Sequence, residues 1–183
     1  DKLADQFLDF TTGNPPNFED FVFANTLPPP PRAPGWPEAW VLLVATIRGF
    51  GVRVFWEICA GSARLSAEAQ RQDWSIAPPI DVIFDASFDL LNVLFFGVIL
   101  GIVLEGRIAW LHVSPPCASW TRILNSDPRS QVRSLVFLRG LPGLHGKKLR
   151  KVLLGNALLD TTTILCQAQN KTAGVYAFEH PDS

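Results

Sequence analysis

Apolar residues along the chain fall into short runs whose spacing switches between helical and extended periods. Trp40, Leu43, Val44 and Ile47 share one helical face, behind a Pro37-Glu38-Ala39 start and ahead of Gly49 and Gly51, which end the pattern. Val52 to Cys59 is rich in β-branched and aromatic residues, interrupted by Arg53 and Glu57, and predicts a strand. Ala60-Gly61-Ser62-Ala63 is a turn of small residues, and Arg64 to Arg71 reads as a helix with Leu65, Ala67 and Ala69 available to pack. Trp74 to Val82 holds a second candidate strand, interrupted by Pro78-Pro79. Asp85 to Leu91 is a loop leading into the apolar stretch Leu90 to Leu104, where Gly97 and Gly101 would admit close packing on a sheet. Ile108 to Val113 predicts a buried strand that stops just before Pro115-Pro116. Lys147 to about Gln169 predicts a long helix with Leu149, Leu153, Ala157 and Leu158 on one side, and Val175 to Phe178 a last strand running into Glu179-His180-Pro181. Strands alternating with helices imply an α/β fold with a mostly parallel sheet.

Composition narrows the class. At 183 residues, 48% hydrophobic and 18% charged, the chain can build one domain with a real core. Residues 1 to 37 are set apart as a leader or linker, because eight of the fifteen prolines fall between Pro15 and Pro37. The domain is expected over 38 to 183. The chain opens at Asp1 without a methionine and reads as a stretch of something longer. Leu90 to Leu104 is apolar apart from Asn92, but it is shorter than the roughly 20 residues a membrane-spanning helix needs. A helix buried between two strands is expected there, against the competing reading of a membrane segment. Cys59, Cys117 and Cys166 lie far apart and lack zinc spacing, so no metal is expected and a reducing, intracellular setting fits.

Net charge is -1, but the distribution is uneven. Arg122, Arg129, Arg133, Arg139, Lys147, Lys148, Arg150 and Lys151 fall in one stretch that contains a single acid, Asp127. Such an excess attracts phosphates, or else covers a solvated loop and helix face. Cys117 immediately precedes that stretch. It sits on a Pro-Pro turn past a strand's carboxyl end, which is where open α/β sheets bind ligands. Its alternative is a structural thiol. Ala60-Gly61-Ser62-Ala63 has the strand-turn-helix form that brings backbone N–H groups to a ligand. Asp81 and Asp89 could accept hydrogen bonds from hydroxyl or amino groups there, or serve as ordinary caps and turns.

Together these stretches resemble the cytosine-5 DNA methyltransferases. Phe55-Trp56-Glu57-Ile58-Cys59-Ala60-Gly61-Ser62-Ala63-Arg64-Leu65-Ser66 is similar to their cofactor loop, which reads Phe-Ala-Gly-x-Gly-Gly. Pro115-Pro116-Cys117-Ala118-Ser119-Trp120-Thr121 is similar to the catalytic Pro-Pro-Cys-x-x-Phe-Ser, and Phe178-Glu179-His180-Pro181 to Glu-Asn-Val or Glu-Asn-Pro. The motifs occur in the family's order, each at the end of an expected strand, over about residues 50 to 183.

The resemblance implies a Rossmann-like three-layer α/β/α sandwich, carried here through about its fifth strand. It implies S-adenosyl-L-methionine held around Glu57, Ala60, Gly61, Ser62 and Pro115, with Asp81 near the ribose and Asp89 near the adenine. Cys117 would be the nucleophile adding to C6 of a flipped cytosine, and Glu179 would hold the ring N3 and exocyclic amine. Ser119, Thr121, Arg122, Arg129, Arg133, Lys147 and Lys148 would meet DNA or RNA in the family's mobile loop. The chain departs from the family at Ala63, where the family has Gly, and at His180, where it has Asn. Asp81 and Asp89 are unusually close in sequence, and the Gln-x-Arg-x-Arg strand, target-recognition domain and closing helix are missing from this stretch, which implies a divergent or truncated member. The competing function is a non-catalytic nucleic-acid-binding module on the same fold.

Overall fold

The computed structural model describes residues 36–117, 119–120 and 129–179. These form α1 (Glu38–Gly49), β1 (Val54–Ile58), α2 (Arg64–Arg71), α3 (Val93–Leu104), β2 (Ile108–Val113), α4 (Gly146–Lys171) and β3 (Val175–Phe178). The chain is therefore α/β, with four helices and one three-stranded parallel sheet of order β1-β2-β3 among the described residues. Nearly all of the expected leader lies outside them. The described residues fall into two compact units, 36–114 with 161–179, and 115–160.

The first unit holds the sheet. Every residue of β1 is buried, as a strand covered on both faces must be. Val54 pairs with Ile108, the register slips by one residue, and Phe55 to Ile58 then pair with Trp110 to Val113. β3 continues the ladder on the far side of β2, and Val175 and Tyr176 on this edge strand are exposed.

The second candidate strand turns out to be only partly a strand. Residues 75–80 run along the free side of β1 and make two isolated parallel bridges, Phe55 to Ile76 and Ile58 to Ile80. Pro78 and Pro79 have no N–H to give the ladder, so pairing breaks between the bridges. The indole of Trp56 fills the gap by donating to Pro78 O at 2.9 Å. β1 is thus flanked on one side by the segment that follows it and on the other by β2.

α3 is apolar throughout, and Asn92 caps it by accepting from the Leu94 and Phe95 N–H groups. It lies beside α1, where Trp40 meets Phe95 with ring centroids 5.0 Å apart and Arg48 pairs with Glu105. The Trp40 indole N–H is satisfied by Ser87 O at 3.0 Å. No helix among the described residues is long and apolar enough to cross a membrane. Gly97 and Gly101 do not serve close packing: a β-carbon on either would meet nothing within 4 Å.

α4 also differs from expectation. The buried stripe is not Leu149, Leu153 and Ala157 but Val152, Asn156, Thr162, Leu165, Cys166 and Gln169, with Leu158 at its margin. Three of these are polar. Gln169 donates to Ile108 O and Val175 O, tying the end of α4 to the starts of β2 and β3.

Candidate functional site

Parallel pairing puts the carboxyl ends of the three strands, and the residues that directly follow them, at one edge of the sheet. The loop after β1 alternates in backbone hand: Cys59, Gly61 and Ala63 all have left-handed φ, at 57°, 52° and 52°. Only Gly61 adopts that conformation without side-chain strain. The turn is closed by Ala63 N–H to Ala60 O at 2.8 Å, and Ala60 N–H reaches across to Ile80 O at 3.1 Å. Ser62 stands exposed at its tip, and a β-carbon on Gly61 would meet nothing within 4 Å, so the outer side of the loop is open.

The three acids expected beside this loop are engaged within the protein. Glu57 is 5% exposed, and its Oε2 accepts from Ser66 N–H at 2.7 Å and from the Ser66 hydroxyl at 2.5 Å. The N-cap of α2, Ala63, has no capping side chain, so Glu57 supplies the missing N-terminal acceptor from the neighbouring strand. Asp81 accepts from Gly61 N–H at 2.9 Å and from Ile83 N–H at 3.0 Å. Asp89 accepts from Leu91 N–H at 2.9 Å as a turn former, while Asn92 does the helix capping. Asp81 and Asp89 converge electrostatically on Cys59, whose thiol is pushed up to about 12, first by burial and then by these two carboxylates.

At the ends of β2 and β3, Ser114 N–H donates to Ile58 O at 3.1 Å and Glu179 N–H donates to Val113 O at 2.9 Å. These bonds extend the sheet by one residue on each strand and fix where both side chains start. The Ser114 hydroxyl lies 2.8 Å from His112 Nε2 and 3.3 Å from Glu179 Oε2. Sequence reasoning picked Glu179 but missed His112 and Ser114. The period-2 pattern was the available signal, since it puts His112 on the side chain face shared with Trp110 and Glu57.

Cys117 and the basic segment belong to the second unit. Pro115 is buried, Cys117 is half-buried, and Trp120 N–H donates to Cys117 O at 2.8 Å, closing a turn just past the thiol. Ser119 and Arg133, expected to face nucleic acid, are instead buried at 4% and 6% exposure. The Arg133 guanidinium uses its whole fork inside the unit. Nε donates to Ser119 O, Nη1 to Leu138 O and Asn156 Oδ1, and Nη2 to Ser119 Oγ and Val152 O. Its Cζ lies over the Trp120 ring, 3.5 Å from the centroid. Burial, and next the charge of Arg139, push the Arg133 guanidinium down to about 10. Arg139 itself makes a two-pronged pair with Asp160 at 2.8 and 2.6 Å.

The described part of the expected mobile loop is therefore anchored to α4. Thr121 and Arg122 lie outside the described residues, as does His180. Arg129, Lys147, Lys148 and Arg150 are exposed, and Lys148 donates to Arg129 O. Between the two anchored arginines, Leu135, Val136, Phe137 and Leu138 are all exposed, Leu135 at 94%. The flanking Arg133, Arg139, Gly140 and Pro142 mark this stretch in sequence as a basic connection.

No protein-family model matches this chain, and no curated protein or solved structure matches it.

Proposed function

We propose that this chain carries a Rossmann-like methyltransferase domain of the cytosine-5 type, acting on a base in DNA or RNA. The observation that carries the reading is topological. From β1 the chain passes to one side, through α2 to residues 75–80, and then crosses to the other side, through α3 to β2. Ligands of open α/β sheets bind at such a switch point, outside the carboxyl ends of the strands. The loop 59–63 and the segment leading to Cys117 leave the sheet on either side of that point, and Glu179 follows the next strand.

The open side of the Gly61-Ser62 turn fits a cofactor approaching the backbone, with Ala60, Gly61 and Ser62 as the contact residues, Asp81 bonded to Gly61 and Asp89 acting on the neighbouring Cys59. S-adenosyl-L-methionine would supply an electrophilic methyl group there. Cys117 as thiolate adds to C6 of the flipped cytosine, which makes C5 an enamine carbon able to take that methyl. Loss of the C5 proton to solvent and departure of the thiolate then restore the aromatic ring. Glu179 binds the ring N3 and the exocyclic amine, and its proton offsets charge developing at N3.

The partner class is supported by the second unit. Lys147, Lys148, Arg150 and Lys151 crowd the first turns of α4, which holds no acid there, so they oppose the helix dipole. A polyanion would relieve that repulsion. The exposed Leu135–Leu138 tip, held at both ends by Arg133 and Arg139, adds an apolar element suited to bases.

The test is twofold. Calorimetric titration with S-adenosyl-L-methionine should saturate at one site, and DNA carrying 5-fluorocytosine should form a covalent adduct with wild type and none with Cys117→Ala. Absence of both would sink the proposal. A second reading, a non-catalytic nucleic-acid-binding module, is favoured by the internal engagement of Glu57 and Asp81. It predicts steeply salt-dependent binding that Cys117→Ala leaves intact, with no cofactor heat.

A further inference from the structure

Three polar side chains meet at the carboxyl ends of β2 and β3. Ser114 Oγ bridges His112 Nε2 at 2.8 Å and Glu179 Oε2 at 3.3 Å, and the ring nitrogen is itself 3.5 Å from that carboxylate oxygen. The His112 side chain is 12% exposed and that of Glu179 72%, so the ring is sheltered while the carboxyl group faces outward. A hydroxyl has one proton to donate. With the carboxylate ionised, Ser114 donates to Glu179 and accepts from His112 Nε2–H. With the carboxyl protonated, Glu179 donates to Ser114 and Ser114 donates to a bare Nε2. The same positions serve both states.

We propose that His112 is a positioning residue that loads and unloads the proton of Glu179 through Ser114. The inference rests on Glu179 being the base-binding carboxyl of the function proposed above. In the loading step the imidazolium Nε2–H bond breaks as its proton bonds to Ser114 Oγ. The Ser114 O–H bond breaks in turn as its proton bonds to Glu179 Oε2. Nδ1 keeps its proton, an ion pair becomes two neutral groups, and the reverse step restores them. The protonated carboxyl can donate to a basic ring nitrogen while Oε1 accepts from an amine, so the ligand class is an amino-substituted heteroaromatic base. Among the described residues, the charged groups facing the ring are Glu179 and, on β1, its register neighbour Glu57, whose Oε2 is already held by Ser66.

Duplex DNA carrying 5-fluorocytosine is the probe, with adduct formation followed across the neutral pH range. His112→Gln should lower the maximal trapping rate about tenfold without changing the half-saturating DNA concentration. It should also change the pH profile of the rate, because the imidazole no longer exchanges a proton with Glu179 through Ser114. Ser114→Ala should behave alike, and Ser114→Thr, which keeps the hydroxyl, should recover the rate. Unchanged rate and pH profile in His112→Gln would overturn the relay. If wild type forms no Cys117-dependent adduct, the methyltransferase reading fails separately, and nitrogen NMR of the imidazole decides the relay. An Nε2 resonance that moves in both Glu179→Gln and Ser114→Ala supports it, and one indifferent to both overturns it.

Discussion

Gly155 of α4 lies so close to Ser119 that a β-carbon on the glycine would overlap the serine Oγ, and it would also stand 3.1 Å from the Trp120 indole nitrogen and 3.2 Å from Arg133 Nη2. The glycine is what lets the turn following Cys117 rest on the helix. Gly155→Ala should cost about 1–2 kcal/mol, overpacking outweighing the helix propensity gained. Gly101→Ala, with open space at its β-carbon, should instead add up to about 1 kcal/mol. Urea denaturation of the two variants checks the contrast, and equal shifts would contradict the packing.

Arg133 ties Ser119, Leu138, Val152 and Asn156 together with one planar fork. Arg133→Lys keeps the charge but cannot reach these acceptors at once, and should lose about 2–3 kcal/mol. Arg139→Lys alters a more exposed pair with Asp160 and should lose less than about 1 kcal/mol. Chemical denaturation would show the ordering, and an Arg133→Lys variant as stable as wild type would contradict the anchor.

Ala63 carries a left-handed φ of 52° at the start of α2. Ala63→Gly should raise stability by about 0.5–1 kcal/mol, since glycine takes that conformation without steric cost. Gly61→Ala, also at φ 52°, should move it the other way by a similar amount. Thermal melts of the pair are the measurement.

Burial pushes the Cys166 thiol up to about 12, and burial with Asp81 and Asp89 does the same for Cys59. The folded chain then keeps protons that the unfolded chain gives up near a thiol's ordinary value of about 8.5. This stability is complete below that pH and is lost as pH rises toward about 12, at up to about 1.4 kcal/mol per unit for each thiol. The urea midpoint should fall between mildly and strongly alkaline buffers, and Cys166→Ala should flatten the fall. An equally steep fall in that variant would count against the buried thiol.

Local pattern was enough for the elements. β2 and β3 have the bounds that an apolar run and its flanking residues imply, and Arg64–Arg71 is helical as its spacing says. Hydrophobic periodicity reports which local geometry can bury a face, and β2 buries Ile108, Leu111 and Val113, whereas β3 leaves Val175 and Tyr176 exposed and α2 buries Ser66 while Leu65 stays exposed. The same reasoning misplaced the stripe of α4, because Asn156 and Gln169 are buried by hydrogen bonds to Arg133, Arg139 O, Ile108 O and Val175 O that no local pattern encodes. It also took Arg133 and Ser119 for surface residues, when each is the other's partner.

The candidate chemistry divides in the same way. Residue type and order singled out Cys117 and the Ala60–Ala63 turn, because strand ends and small-residue turns leave a local signature, and the resemblance to a family motif added Glu179. Tertiary structure decided what each group is joined to: Glu57 to Ser66, Asp81 to Gly61, and His112 through Ser114 to Glu179. Those pairings depend on sheet register and on the crossing from one side of β1 to the other. A hydrogen bond between residues 65 apart forms only once the strands between them are aligned.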